Sequence, residues 1–295
     1  MFKSGYVAVV GRSNVGKSTL LNKLIGEKIS IVTNKPQTTR KKFLLIKEFK
    51  NSQIIFIDTP GIQRAKNFLG KYMLKSSNTA INDADIILYI VDISKELGDI
   101  ERDIVDTLKN KNKPIILVIN KIDKLKTEDE LCELVELYQN LNMFEKIIPV
   151  SAINGENIDE ILDKIVDVLP EGPRYYEEDC ITDLSVREIV EDIIREKAMM
   201  NLDEELPHGI TIEVIKFKKR ENKELYDIDA NIVVEKKSHK GMVIGKSGRK
   251  IKKIGTESRI EIETFLNSQV NLNLWVKINE DWRNNEYKVK TLGYY

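Results

Sequence analysis

The stretch that most constrains this chain is Gly11-Arg12-Ser13-Asn14-Val15-Gly16-Lys17-Ser18, lying directly behind the apolar run Tyr6–Val10. It fits the pattern G-x-x-x-x-G-K-[ST], in which a strand ends, a glycine-rich loop turns and a helix begins. A phosphate chain needs several N–H donors converging on it with no side chains in the way. Gly11 and Gly16 permit that backbone path, because a β-carbon would clash or forbid the required dihedrals. The helix that follows, to Ile25, aims the positive end of its dipole at the phosphates. Gly11, Ser13, Asn14, Val15, Gly16, Lys17, Ser18 and Thr19 are therefore the candidate phosphate contacts. Among them Lys17 would reach the β- and γ-phosphates, and the Ser18 hydroxyl would ligate Mg²⁺.

Taken in order, the first half alternates strands and helices. A strand over Tyr6–Val10 and a helix over Ser18–Ile25 precede a polar stretch from Ser30 to Lys42. Leu44–Phe49 and Gln53–Ile57 read as an antiparallel pair around Lys50-Asn51-Ser52, and a loop then leads to a strand over Ala84–Asp92. Helices over Asp99–Lys109, Glu128–Leu141 and Ile158–Leu169 alternate with strands over Pro114–Ile119 and Lys146–Val150. This rhythm predicts a mainly parallel sheet with helices on both faces, and ligands at the carboxyl ends of its strands.

Four further signals fall at those ends. Asp58-Thr59-Pro60-Gly61 offers a carboxylate for a Mg²⁺ water and a bare backbone at Gly61 for the γ-phosphate. Thr38-Thr39 lies in the polar stretch, and the hydroxyl of Thr39 is the better candidate to close over Mg²⁺. Lys17, Thr39, Gly61 and Asn14 are the groups expected to act on the transferred phosphate. Asn120-Lys121-Ile122-Asp123 decides the base. Asp123 can accept from guanine N1–H and the 2-amino group, whereas adenine would leave the carboxylate unpaired. Lys121 can lie along the ring, Asn120 can tie this loop to the phosphate site, and a backbone N–H of Ser151-Ala152 can meet guanine O6. Five short strings in order, each at an expected strand end, describe a guanine-nucleotide site.

Composition adds bounds. Formal net charge is zero over 295 residues, so any nucleic-acid surface must be local, and the length allows two domains. Cys132 and Cys180 are too few for a disulfide framework and suit a reducing cytoplasm. Cys132, on an apolar helical stripe, is expected to be a packed thiol. His208 and His239 make no metal-ligand spacing, and no apolar run approaches the roughly 20 residues needed to span a bilayer.

Pro170-Glu171-Gly172-Pro173 stops the last helix of the first domain (1–170), and 171–183 reads as a polar linker. The remainder, 184–295, has the order α-β-β-α-α-β: helix Val186–Met199, strands Gly209–Lys218 and Glu224–Glu235, a short helix opening near Gly245, a helix over Glu257–Leu266, and strand Val270–Lys277. In its middle Gly245-Lys246-Ser247-Gly248 matches the GXXG clamp that grips single-stranded backbone beside an apolar groove. Lys240, Lys246, Arg249, Lys250 and Lys253 supply charge to phosphates, and Val243, Ile244 and Ile251 are expected to edge the groove. From Lys236 to Lys253 no acid interrupts the basic residues.

The first 170 positions resemble the GTP-binding switch proteins, which bind GTP with Mg²⁺ and hydrolyse it slowly to GDP. Many members carry a glutamine after Asp-x-x-Gly to orient the attacking water; here Ile62 stands there and cannot do so. Members with asparagine at the position of Asn14 can hold K⁺ against the phosphates, so either a K⁺ ligand or a loop-stabilising amide is open at Asn14. The later half resembles type II KH domains. Together with Pro36-Gln37-Thr38-Thr39-Arg40, Ile193-Ile194-Arg195-Glu196-Lys197, Glu205-Leu206-Pro207, Leu274-Trp275-Val276-Lys277 and Leu292-Gly293-Tyr294, the whole chain resembles the Era-like family of bacterial ribosome-assembly GTPases. Val186 and Glu188 depart from that family's pattern. The resemblance implies a monomeric cytoplasmic protein that binds the 3′ end of small-subunit ribosomal RNA and assists assembly of the small subunit, with weak peripheral association with the inner membrane. The alternative is an RNA-binding adaptor holding guanine nucleotide as a structural ligand without useful turnover.

Overall fold

The structure, a computed structural model, describes residues 1–221 and 223–294. They divide into two compact units, one of residues 1–30, 39–66 and 70–183, the other of residues 31–38, 67–69 and the chain from 184 onward.

In the first unit β1 (Lys3–Val10) runs through the phosphate loop into α1 (Lys17–Ile25). β2 (Phe43–Glu48) and β3 (Ser52–Asp58) follow, then α2 (Phe68–Asp83), β4 (Ile86–Val91), α3 (Asp99–Lys109), β5 (Ile115–Asn120), α4 (Glu128–Gln139), β6 (Lys146–Val150) and α5 (Ile158–Val168). The strands lie in the order β2-β3-β1-β4-β5-β6, and β2 alone is antiparallel to its neighbour. β3, β4 and β5 are buried at every position, as strands covered on both faces must be. Tyr89 and Leu117 meet Ile104 and Leu108 of α3 and Leu134 and Tyr138 of α4 in one core. The carboxyl ends of β1, β3, β4, β5 and β6 consequently share one rim of the sheet.

Three sequence expectations change here. The stretch before β4 was expected as a loop, yet α2 spans 16 residues. Its buried face is Leu69, Met73, Ser76, Ser77, Ala80 and Ile81, so two serines interrupt the apolar stripe midway. Ser77 donates to the Pro60 carbonyl at 2.9 Å, a contact a larger side chain would prevent. Cys132 is exposed on α4 and is not a packed thiol, because the inward stripe runs through Leu134 and Tyr138. Residues 171–183, read as a polar linker, run along β2 and β3. Gln53 there accepts from the Tyr175 and Tyr176 N–H groups at 2.9 and 3.0 Å, and Ile46 N–H donates to the Ile181 carbonyl at 2.8 Å.

The second unit opens with α6 (Val186–Asn201), followed by β7 (Thr211–Lys219), β8 (Leu225–Val234), α7 (Lys237–Ile244), α8 (Arg249–Leu266), β9 (Gln269–Ile278) and α9 (Glu286–Thr291). β8 is the central strand, antiparallel to β7 and parallel to β9. Glu188, a departure from the family pattern, closes a capping box with Ser185 at the start of α6. Arg195 and Glu196, both buried on α6, hold the segment 31–38: Val32 N–H donates to Glu196 at 3.2 Å, and Arg195 donates to the Thr38 carbonyl. No helix opens at Gly245: α7 ends there, and the two helices expected from Gly245 to Leu266 are one continuous α8 from Arg249. Its inward positions Ile254, Ser258 and Ile262 recur every fourth residue, a stripe thinned by the serine and by the lysines around it.

Beyond β9 the chain returns to the core through Trp282, which is fully buried. Its indole N–H donates to the Gly209 carbonyl at 3.0 Å, and its ring stacks on Tyr294 at 6.0 Å between centroids. Trp282→Ala should therefore destabilise this unit by about 3–5 kcal/mol, the usual cost of emptying a buried aromatic site. Urea unfolding followed by circular dichroism tests this; a loss below about 1 kcal/mol would show that the C-terminal turn is an ornament to the core.

Candidate functional site

Backbone crowding shapes the phosphate loop. A β-carbon on Gly11 would lie 2.3 Å from the Ile90 carbonyl oxygen, and one on Gly16 would lie 2.2 Å from Asn120 Nδ2. Gly16 also has φ 99°, in the left-handed region, as the N-cap of α1. It makes no side-chain cap, so the first N–H groups of the helix are left to a ligand. Gly61 belongs to the same knot: its absent β-carbon would sit 2.7 Å from Ser13 Cα, and Ile62 N–H donates to the Gly11 carbonyl at 3.0 Å. Lys17 is buried and folds back, donating to the carbonyls of Arg12 at 2.9 Å and Gly11 at 3.2 Å. Val15 is buried beside it and carries the Val15 carbonyl to Asn120.

Three oxygens gather next to Lys17. Ser18 Oγ and Thr39 Oγ1 are 3.1 Å apart, and Thr39 Oγ1 donates to Asp58 Oδ2 at 3.4 Å. Thr38 turns elsewhere, with its hydroxyl 2.7 Å from that of Thr33 and 2.8 Å from the Lys35 carbonyl. Ser30, which sequence reasoning passed over, also donates to Asp58 Oδ2 at 3.3 Å. Asp58 is wholly buried and its Oδ1 has no hydrogen-bond partner among the described residues. A hard oxygen set with one orphaned carboxylate oxygen suits Mg²⁺. Burial pushes the Asp58 carboxyl above its ordinary range, partly opposed by Lys17; burial likewise lowers the Lys17 ammonium, partly opposed by Asp58. A divalent cation and phosphates would stabilise the charged form of each.

At the base end, Asn120 serves as a hub. Its amide donates to the Val15 carbonyl at 2.8 Å, while its oxygen accepts from Lys121 N–H at 2.8 Å and Ala152 N–H at 3.1 Å. Lys121 adopts φ 70° and its ammonium reaches the Asn14 carbonyl at 2.6 Å. Asp123 is oriented by Ser151, whose hydroxyl donates to its Oδ1 at 2.7 Å. The residues 120–123 and 151–152 are thereby brought together beside the phosphate loop.

In the second unit the two clamp glycines have different work. Gly245 has φ 70°, and a β-carbon there would lie 2.7 Å from Lys250 Cβ, so that glycine closes the turn. Gly248 has φ 75° and faces open space, where a phosphate could lie. Lys240, Lys246, Ser247 and Arg249 are exposed around it. Lys246 and Arg249 form no ion pair among the described residues, whereas Lys250 meets Asp203 at 3.4 Å and Lys253 meets Glu257 at 3.7 Å. Val243 is a correction: it is fully buried in the core and does not edge a groove, because the inner face of the short α7 packs there. Ile244 is half-buried against that core, and Ile251 lines a cleft of about 370 Å³ between α8 and β9. Gly255, Thr256, Arg259, Leu272 and the half-exposed Trp275 are among its other lining residues. Sequence reasoning missed them because they come from one helix face and a distant strand.

A family model described as 50S ribosome-binding GTPase matches residues 6–121, and one described as KH domain matches residues 205–283. GTPase Era of Clostridioides difficile is 46% identical over 294 residues, covering 100% of this chain and 99% of the relative. GTPase Era of Alkaliphilus oremlandii is 49% identical over 293 residues, with 99% of each covered. The chain belongs to the GTPase Era family. Among solved structures, Era in complex with MgGDPNP and nucleotides 1506–1542 of 16S ribosomal RNA superposes with a TM-score of 0.96 at 40% identity, covering 100% of this chain and 99% of that one. A variant of Aquifex aeolicus Era bound to GDP·AlF4⁻ gives 0.95 at 40% identity, covering 99% of each. This Era-family chain is thus a GTPase built from a P-loop domain and a KH domain.

If Asp123 reads the guanine edge, Asp123→Asn should lose GTP affinity and gain affinity for xanthosine triphosphate, whose 2-oxo group suits an amide donor. A loss of roughly 1.5–3 kcal/mol in GTP binding is expected for a charged hydrogen bond. Titration with both nucleotides measures it, and an unchanged preference for GTP would remove Asp123 from the base site.

Proposed function

We propose that this Era-family GTPase binds GTP with Mg²⁺, hydrolyses it slowly, and engages the 3′ segment of small-subunit ribosomal RNA through its KH domain during assembly of the small subunit. The observation that carries the nucleotide half is the gathering of Ser18, Thr39 and Asp58 oxygens beside Lys17, with one Asp58 oxygen unpartnered among the described residues. Ser18 and Thr39 would ligate Mg²⁺, and Asp58 would hold one of its waters. A Mg²⁺ ion held by these residues would supply positive charge against the phosphates during transfer. Lys17 leaves its two carbonyl partners for the phosphates, and the Gly61 backbone, pressed against Ser13, stands ready for the γ-phosphate.

The RNA half rests on Gly248 open beside Lys246 and Arg249, which form no ion pair among the described residues, and on the α8–β9 cleft. The choice of RNA follows the solved relative with the 16S fragment, which aligns over the entire chain. The description naming the 50S subunit belongs to a match that ends at residue 121, before the KH domain begins. Nucleotide state governing RNA engagement belongs to the same reading: Thr39 meets Ser18 and Asp58, and its chain neighbour Thr38 belongs to the second unit. A peripheral membrane association has no supporting observation and forms no part of the proposal. K⁺ held by Asn14 does belong to it, since Ile62 packs into the core and offers no group to a water.

Turnover should accordingly be about 10⁻⁴ to 10⁻² s⁻¹, as for switch GTPases without a supplied arginine. Replacing Na⁺ by K⁺ should accelerate it, and Asn14→Ala should remove the difference; equal rates in both salts would make Asn14 a loop residue.

For RNA, aspartates at both Lys246 and Ser247 place negative charge where phosphate must pass. Aspartate tolerates the left-handed φ of 52° found at Ser247, so the turn survives. Wild-type affinity for single-stranded RNA should fall with salt at a log–log slope near about −3, from roughly four gripped phosphates at about 0.7 each. The double variant should lose most of that binding while turnover measured without RNA persists. Full RNA binding by the variant would mean that the clamp is merely a turn.

A further inference from the structure

β4 lies between β1 and β5, the two strands that deliver the phosphate loop and the base loop. Its carboxyl end is the one position on that rim without a recognised nucleotide string, and it carries Asp92. Both carboxylate oxygens of Asp92 accept from Arg12 Nη2, at 3.0 and 2.9 Å. Ser94 fixes that carboxylate with its hydroxyl at 2.6 Å and its N–H at 3.2 Å, both donating to Oδ1. On the other side, Lys121 Nζ approaches Asp92 Oδ2 at 3.8 Å and donates to the Asn14 carbonyl at 2.6 Å. Arg12 is held from a second direction by Glu101 of α3, 2.7 Å from its Nε, and Glu101 is itself nearly buried. Arg12 also forms an isolated parallel bridge with Ile62, and its carbonyl receives Lys17.

One carboxylate thus ties the second residue of the phosphate loop to the lysine expected along the guanine ring. Neither Arg12 nor Asp92 was singled out by the sequence patterns. Side-chain exposures of 31% for Arg12, 18% for Asp92 and 25% for Lys121 leave the cluster only partly screened by water. We infer that Asp92, with Arg12 and Glu101, is a positioning cluster that locks the phosphate loop to the base loop and so sets the lifetime of the bound guanine nucleotide. A nucleotide spans both loops and leaves when they separate. While the cluster holds, phosphate contacts and base contacts break together; without it they break one after the other, which is the faster route.

This rests on the guanine-nucleotide reading of the site, and release kinetics distinguish the two. The full chain is loaded with a fluorescent N-methylanthraniloyl GDP and chased with excess GDP. Asp92→Asn, which keeps the shape and removes the charge, should speed release roughly five- to tenfold, the effect of losing a partly exposed charged hydrogen bond. Arg12→Lys should give a smaller acceleration, since an ammonium cannot grip Asp92 and Glu101 together as a guanidinium does. Should Asp92→Asn fail to fold by circular dichroism, Arg12→Lys carries the test. In steady state KM for GTP should rise with the release rate while kcat moves by less than about twofold, because slow chemistry makes KM follow the dissociation constant. The Arg12→Ala and Asp92→Ala pair should be strongly non-additive, the double variant releasing no faster than the worse single one. Wild-type uptake of the probe with unchanged release in folded variants, or fully additive effects, overturns the inference. No uptake by the wild-type chain would overturn the nucleotide reading first.

Discussion

The carboxamide of Asn120 is the fixture on which the nucleotide end of the sheet depends. Its three hydrogen bonds reach the phosphate loop, its own loop and the Ala152 loop, and it is almost wholly buried. A buried amide with unmet donors or acceptors costs about 1–3 kcal/mol per group, so these loops are held together by the penalty for parting them. Gly16 is the other half of the arrangement. Any β-carbon there would occupy the space of the Asn120 amide, which makes the glycine and the asparagine two parts of one contact. The left-handed turn at Gly16 then starts α1 at the point where a phosphate can meet its free N–H groups.

Much of this was legible in the chain because each string sits where a buried strand stops. The apolar runs that become β1, β3, β5 and β6 locate the rim, and Gly11, Asp58, Asn120 and Ser151 stand at or directly after their ends. What escaped was built from small or polar residues. α2 presents Ser76 and Ser77 inward between Met73 and Ala80, so its apolar periodicity is broken at the centre of the helix. Segment 171–183 reads as polar because its partners are hydrogen bonds from Gln53 and β2, not apolar contacts. Trp282 gave no periodic signal, being a lone aromatic in a polar stretch, though its burial is complete. Asp92 was hidden for another reason: a single acid after a strand has no pattern, and its meaning appears when β4 is seen between β1 and β5.

In the KH domain the same glycine motif divides its labour. Gly245 is required by the protein itself, since Lys250 fills the space a side chain would need. Gly248 meets nothing of the protein, so its left-handed φ of 75° alone calls for the glycine, and the space beside it stays open to a ligand. The basic run is likewise less uniform than it reads. Lys250 and Lys253 are engaged by Asp203 and Glu257, whereas Lys240, Lys246, Arg249 and Lys252 form no ion pair among the described residues. A neutral chain therefore carries a small electropositive point, enough to orient a phosphate backbone without making the whole surface sticky.

Ile62 shows how the hydrolytic site is biased towards slowness. Its N–H is committed to the Gly11 carbonyl and its side chain to the core, so the residue fastens the Asp58–Gly61 loop to the phosphate loop. A glutamine there would have to leave that packing to reach a water. In the proposed reading catalysis rests on preorganised charge: the Lys17 ammonium, the N–H groups at the start of α1, and a Mg²⁺ ion that the oxygens around Asp58 would hold. Such a site stabilises charge on the transferred group but does little to place the attacking water, and it lacks the factor of about 10³ to 10⁵ that an added arginine supplies. Slow chemistry is compatible with the rest of the design. When hydrolysis is slower than binding and release, the GTP-bound state persists long enough to govern a second event. The contacts that hold the nucleotide, more than those that split it, then determine the timing.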